Sequence, residues 1–163
     1  MLPILTLGDE RLHRHSIVVP DLNGTVTALI EQMFESMREG KGIGLAAAQV
    51  GNLYRIFVTE VPRDRPRVFV NPEIIETSLE QGGYEEGCLS IPGIEAEVIR
   101  ALRVRVQAWN EKGKPFSLEA EDLLARVIQH EIDHLNGVLF IDRIDPKKRE
   151  RLVKQYKSGH APL

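Results

Sequence analysis

Residues 123–135 constrain the fold of this chain more than any other stretch. Read as a helix, Leu123, Leu124, Val127, Ile128, Ile132 and Leu135 spread apolar side chains around much of its circumference. Such a segment makes a poor surface helix, so the rest of the chain has to cover it. The same segment holds His130-Glu131-Ile132-Asp133-His134. Two histidines four apart in a helix point the same way and can grip one divalent metal, and Glu131 then lies beside the ion, placed to handle a proton. The pentapeptide alone also fits a surface helix with two partly exposed histidines.

A catalytic site of this kind takes three protein ligands and keeps one position open. An extended histidine motif would need its third ligand at position 140, which is Phe140, although Gly137 falls in the right place. A glutamate from a following helix is a second route. Glu150 is the nearest, but Lys147-Lys148-Arg149 before it and Arg151 after it favour a solvated face. Cys88, the only cysteine, is the remaining candidate, a soft ligand for zinc or ferrous iron as its thiolate. A metal held by Cys88, His130 and His134 would sharply acidify a water at the open position. Glu131 would act as general base and then acid.

Cys88 lies in Glu86-Gly87-Cys88-Leu89-Ser90, and upstream stands Gly42-Ile43-Gly44-Leu45-Ala46-Ala47-Ala48-Gln49. With the histidine pentapeptide, these segments resemble, in order and separation, the three signature motifs of bacterial peptide deformylases. The resemblance runs from Ile4-Leu5 to the basic C-terminal stretch. It implies an α+β fold in which antiparallel strands wrap around a central buried helix carrying the metal motif. It also implies removal of the formyl group from the N-formylmethionine of nascent polypeptides, with release of formate. The metal expected is one divalent ion, Fe2+ natively, with Zn2+, Ni2+ or Co2+ able to take the same ligands. Oxyanion donors, worth about 3 kcal/mol each, would be the Gln49 side-chain amide and the backbone N–H of Leu89, the latter suggested by the family. A loop amide capping nearby backbone is the other reading of Gln49.

Leu123, Arg126 and Val127 share the helix face of His130 and either wall a pocket for an unbranched apolar side chain or pack in the core. Ile43, Gly44 and Gly87 can offer backbone groups for strand-like pairing with a peptide. Arg100 resembles a family position near the peptide-binding face, or is a plain strand-end arginine. Asp133 either orients a ligand imidazole or faces solvent. Two rival functions stand beside the deformylase reading: a zinc peptidase, which lacks a completing histidine or well-placed glutamate, and a non-enzymatic metal- or ribosome-binding protein that keeps the fold. His13 and His15, where relatives often carry fewer histidines, could bind metal weakly but fit an exposed turn.

At 163 residues the chain is expected to form one catalytic domain, 1–163. Val26, Leu29, Ile30, Met33, Phe34 and Met37 predict an amphipathic helix from Asn23–Thr25 to Gly40. Tyr54–Glu60, Arg67–Asn71 and Arg103–Ala108 predict half-buried antiparallel strands, with a turn at Asn110–Lys114. Glu119, Glu121 and Asp122 suit the positive end of the histidine helix, and Gly137 ends it. The glycines at 42 and 44 lack the Lys-Ser/Thr pair of a nucleotide loop. A lone cysteine and the lack of a secretory leader pattern fit a reducing cytoplasm, and no apolar run is long enough for a membrane span. A net charge of −3 argues against a general nucleic-acid binder. Lys147, Lys148, Arg149, Arg151, Lys154 and Lys157, interleaved with Leu152, Val153 and Tyr156, predict a basic terminal helix that could touch the ribosome.

Overall fold

The computed structural model describes residues 1–160. Three helices, α1 (Gly24–Glu39), α2 (Asp122–Leu135) and α3 (Pro146–His160), accompany seven strands: β1 (Gly44–Ala46), β2 (Ile56–Thr59), β3 (Arg67–Thr77), β4 (Gln81–Gly87), β5 (Glu95–Ala101), β6 (Arg103–Trp109) and β7 (Pro115–Glu121). Short 3-10 turns occupy Glu10–His13, Ala47–Val50 and Phe140–Arg143. The strands form a five-stranded antiparallel sheet, ordered β1-β2-β3-β6-β7, and a separate β4-β5 hairpin.

Asn23 starts α1 by accepting the Val26 N–H on its side chain at 3.1 Å, satisfying one of the free donors of a helix N-terminus. The predicted apolar stripe then buries Val26, Leu29, Ile30, Met33 and Met37. Strand periodicity divides the core. Ile56 and Val58 of β2 point to the α1 side with Leu45, Val68 and Val70. Phe57 and Phe69, directly paired in register and stacked at 4.4 Å, point to the other side, where Ala125, Ile128, Ile132 and Leu135 of α2 meet them. Because helices cover both faces, β2 is buried at every residue. In β6, Val104, Val106 and Ala108 face inward and Arg103 and Gln107 outward, as the alternation predicts.

The β4-β5 hairpin closes over α2 from beyond the sheet, and α2 touches β1, β2, β5, β6 and β7. Ala96 and Val98 of the hairpin join Leu12, Ile91, Leu139 and Phe140 in a third cluster, onto which α3 lays Tyr156 with the partly buried Leu152 and Val153. Glu119 belongs to β7 and lies away from the helix start, whereas Glu121 is both the last residue of β7 and the N-cap of α2, where its side chain makes no capping hydrogen bond. The ladder to β6 runs the full strand, pairing Glu121 with Arg103, and Arg105 holds Glu119. Only Asp122 lies in the first turn of α2. Gly137 follows the helix end with φ +75°, and a Cβ there would stand 2.6 Å from the His13 carbonyl oxygen, so both conformation and packing demand glycine. No helix among the described residues is long and apolar enough to cross a membrane.

Candidate active site

Helix α2 carries His130 and His134 on one face, and the chain leaving β4 brings Cys88 to meet them. The ligand atoms of Cys88, His130 and His134 all lie within 4.8 Å of one another, and Cys88 Sγ is 3.3 Å from His134 Nε2. His130 Nδ1 is engaged 2.8 Å from Glu86 Oε1, which leaves Nε2 as the ring nitrogen available toward Cys88 and His134. A thiolate and two imidazoles suit zinc or ferrous iron. The competing ligand routes close. Phe140 is buried, stacked 6.1 Å from the His130 ring, and Glu150 is exposed and paired with Lys154. His13 and His15 are exposed and belong to no metal-capable group among the described residues.

Glu131, between the histidines, is 3% exposed, and its Oε1 has no hydrogen-bond partner. Burial pushes its carboxyl up to about 7. That sets a group able to take and give a proton near neutral pH beside the ligands. Gly44 makes room for it: a Cβ on residue 44 would come within 2.6 Å of Glu131 Oε2 and 2.8 Å of Val127 Cγ1.

Gln49 sits on the 3-10 turn after β1 and is pinned at both ends. Its Oε1 accepts the Ala46 N–H at 2.9 Å, and its Nε2 donates to Ser90 Oγ at 3.1 Å and Cys88 Sγ at 3.4 Å. The amide therefore faces the ligand cluster. Cys88, Gln49, His130 and Glu131 lie along a cavity of about 610 Å3. Gly44 at the start of β1, Gly87 at the end of β4 and the adjoining Ile43 and Leu89 line it on one side, and Leu123, Arg126 and Val127 line it from α2. His134 is buried behind this wall.

Arg100 does not line the cavity. It points behind the ligands, where its Nε and Nη2 donate to the two oxygens of Glu86 at 2.6 and 3.0 Å and its Nη1 to Asp133 at 2.9 Å. The charge of a buried Glu86 needs that partner, which draws the arginine inward and away from the cavity. Asp133 is neither solvated nor bonded to a ligand imidazole; it is buried between Arg100 and Arg143. Arg126 has two roles, forming part of the cavity wall while its guanidinium donates to Glu86 Oε2, to the Val98 and Gly82 carbonyls, and stacks on Tyr84.

Glu86 is the residue the sequence does not announce. Burial works to raise its pKa, but the bonds from His130 and Arg100 outweigh it and hold the carboxyl down at about 2, a permanent anion behind a ligand imidazole. Its position two residues before Cys88 in an extended segment was the available signal. Burial also disfavours protonating both imidazoles. At His130 the bonds to Cys88 and Glu86 overcome this and raise the pKa, whereas His134 is held well below the ordinary value.

The family model described as polypeptide deformylase matches residues 1–150. The peptide deformylase of Chromobacterium violaceum is 50% identical over 159 residues, covering 96% of this chain and 95% of that protein. Among solved structures, peptide deformylase from Ehrlichia chaffeensis in complex with actinonin superimposes with a TM-score of 0.96 at 36% identity, covering 99% of both chains. That from Legionella pneumophila gives 0.93 at 40% identity, covering 98% of this chain and 95% of the other.

Proposed function

The chain belongs to the polypeptide deformylase family, enzymes that remove the formyl group from N-formylmethionyl peptides, and we propose that Cys88, His130 and His134 hold the divalent ion of that reaction. The observation that carries this reading is the convergence of those ligand atoms within 4.8 Å beside the buried Glu131 carboxyl, whose Oε1 has no hydrogen-bond partner. When bound, the ion acidifies a water in the cavity and polarises the formyl carbonyl. Fe2+ is the native ion in this reading, and Zn2+, Ni2+ or Co2+ fit the same ligands.

The chain's own residues supply the remaining steps. Glu131 would take the proton of the attacking water and return one to the departing amine, a role open to a buried carboxylate whose Oε1 has no fixed partner. Gln49 Nε2 has one hydrogen on Ser90 Oγ and turns the other from Cys88 Sγ toward the developing oxyanion, with the Leu89 N–H as second donor. Leu123, Val127 and the stem of Arg126 receive the methionine side chain. Among the described residues β1 pairs only with β2, and β4 only with β5. The outer edges of these strands flank the cavity at Ile43–Gly44 and at Gly87, which supports strand-like pairing with the substrate backbone. Arg100 has no substrate role here.

On this reading the strands serve to wrap a central helix bearing the histidines, and residues 1–163 act as one catalytic unit in the reducing cytoplasm, where the Cys88 thiol persists. The basic residues of α3 would make a weak contact with ribosomal RNA or protein. Deleting residues after Asp145 should reduce ribosome co-sedimentation in low salt and spare hydrolysis of a short peptide; unchanged co-sedimentation removes the contact. The principal test is formate release from a formyl-Met tripeptide by protein purified without oxygen and loaded with Fe2+. Glu131→Gln and the unformylated peptide should give none, and a wild-type protein that takes up metal but releases no formate refutes the reading.

A further inference from the structure

We infer that Arg143, outside the cavity in the turn between α2 and α3, is a positioning residue for the metal ligand His130, acting through Asp133, Arg100 and Glu86. The inference rests on the reading of Cys88, His130 and His134 as metal ligands. An unbroken run of charged hydrogen bonds carries it. Arg143 Nη2 and Nε donate to Asp133 Oδ1 and Oδ2 at 2.7 and 3.0 Å. Asp133 Oδ2 also accepts from Arg100 Nη1 at 2.9 Å, Arg100 grips Glu86 at 2.6 and 3.0 Å, and Glu86 Oε1 meets His130 Nδ1 at 2.8 Å.

The run differs from an ordinary set of ion pairs in its burial. The side chains of Glu86, Arg100 and Asp133 are only 5%, 5% and 8% exposed, so none can exchange a lost partner for water. Arg143, with its side chain 51% exposed, is where the run reaches solvent. Without it, Asp133 Oδ1 loses the one side-chain partner that engages it among the described residues, and Arg100 becomes the only cation on Asp133 while it still shares Glu86 with Arg126. Its fork then shifts toward Asp133 and loosens Glu86, and with it the tautomer and ring orientation of His130. The turn reaches His130 by a second path as well, through the Phe140 ring stacked 6.1 Å from the imidazole. Arg126 supports Glu86 from the opposite side at 2.6 Å, so the guanidiniums of Arg100 and Arg126 fix that carboxylate from two directions.

Zinc affinity measured by competition with a chromophoric chelator, and the visible absorption of the Co2+-substituted protein, test the role independently of turnover. Arg143→Gln should bind zinc about tenfold more weakly, the lower end of what disturbing a ligand's hydrogen-bond partner costs, with an altered Co2+ spectrum. Arg143→Lys should recover part of the loss, and in an Asp133→Asn background the Arg143→Gln change should add nothing further. Arg149→Gln breaks a neighbouring ion pair with Asp142 and should change neither readout. Arg143→Gln that melts cooperatively and binds zinc within twofold of wild type overturns the proposal. Wild-type protein that binds zinc but releases no formate refutes the function and leaves this inference standing, while wild-type protein that binds no zinc overturns both.

Discussion

Replacing Glu131 by glutamine should make the metal-free protein more stable, by an amount that depends on pH in a predictable direction. Glu131 is 3% exposed, so solvent does little to screen its charge. Its pKa is about 7 in the fold against 4.5 in the ordinary state. A raised folded-state pKa means that the native state binds this proton more tightly than the unfolded chain does. The resulting stabilisation is complete below 4.5 and is lost as pH rises through 7. At about 1.36 kcal/mol per unit, the loss reaches about 3 kcal/mol by pH 8. Glutamine has nearly the same shape and cannot ionise, so it escapes that loss. The variant should therefore match wild type at pH 4.5 within about 0.5 kcal/mol and exceed it at pH 8 by about 3 kcal/mol, or roughly 10 °C in Tm for a chain of this size. The assay is urea or thermal unfolding of chelator-stripped protein across this range, followed by circular dichroism. Zinc loading should shrink the gap at pH 8, since the cation stabilises the Glu131 anion. A difference between variant and wild type that stays flat from pH 4.5 to 8 would refute the claim that burial holds this carboxyl near 7.

Gly44→Ala should lower kcat at least tenfold with metal content unchanged, since its Cβ would fall 2.6 Å from Glu131 Oε2 and 2.8 Å from the stiff Val127; a variant with normal kcat would show that the loop yields freely. Arg55→Met should cost about 1.5–3 kcal/mol in urea unfolding, because Arg55 donates to the Leu135 carbonyl at 3.2 Å and to Asn136 Oδ1 at 3.1 Å and so caps the C-terminus of the ligand helix; an unchanged midpoint would deny it that role. The Fe2+ form should lose activity in air together with oxidation of Cys88, seen as added oxygen mass on its peptide, whereas activity that survives prolonged aerobic incubation counts against an iron–thiolate site.

The parts of this molecule legible in its sequence are those written in short-range patterns. The stripe Val26, Leu29, Ile30, Met33 and Met37 announces α1 because helical packing repeats within one turn or two, and Val104, Val106 and Ala108 announce β6 in the same way. Cys88 is legible because a chain with one cysteine and two helical histidines leaves few choices of soft ligand. The β4-β5 hairpin is not. Gln81-Gly82-Gly83-Tyr84 has no apolar alternation, since the glycines lie where Leu102 and Glu97 side chains press close, and the inward residues Ala96 and Val98 alternate with exposed charge. Once the hairpin is missed, so is the direction of Arg100, whose partner Glu86 lies 14 residues away across the hairpin. The acidic residues at the end of β7 predict a helix start, and Glu121 and Asp122 stand at it, but Glu119 is claimed by Arg105 across the ladder.

The difficulty set by the sequence, a helix too apolar for the surface that nonetheless carries two imidazoles and the buried carboxyls of Glu131 and Asp133, is resolved by charge balance. Asp133 and Glu86 are neutralised within the fold by Arg100 and Arg126, with Arg143 closing the cluster at the surface. Two potential anions then remain next to the imidazoles, Glu131 and the Cys88 thiolate. A divalent cation matches them in number. In the metal-free protein a proton does this work at Glu131, which keeps it up to about 7 and so escapes the cost of an uncompensated buried charge below that pH; a dication would take over the role above it. The same balance keeps Glu131 available for proton transfer, because its partner is the exchangeable charge in the cavity and not a fixed arginine.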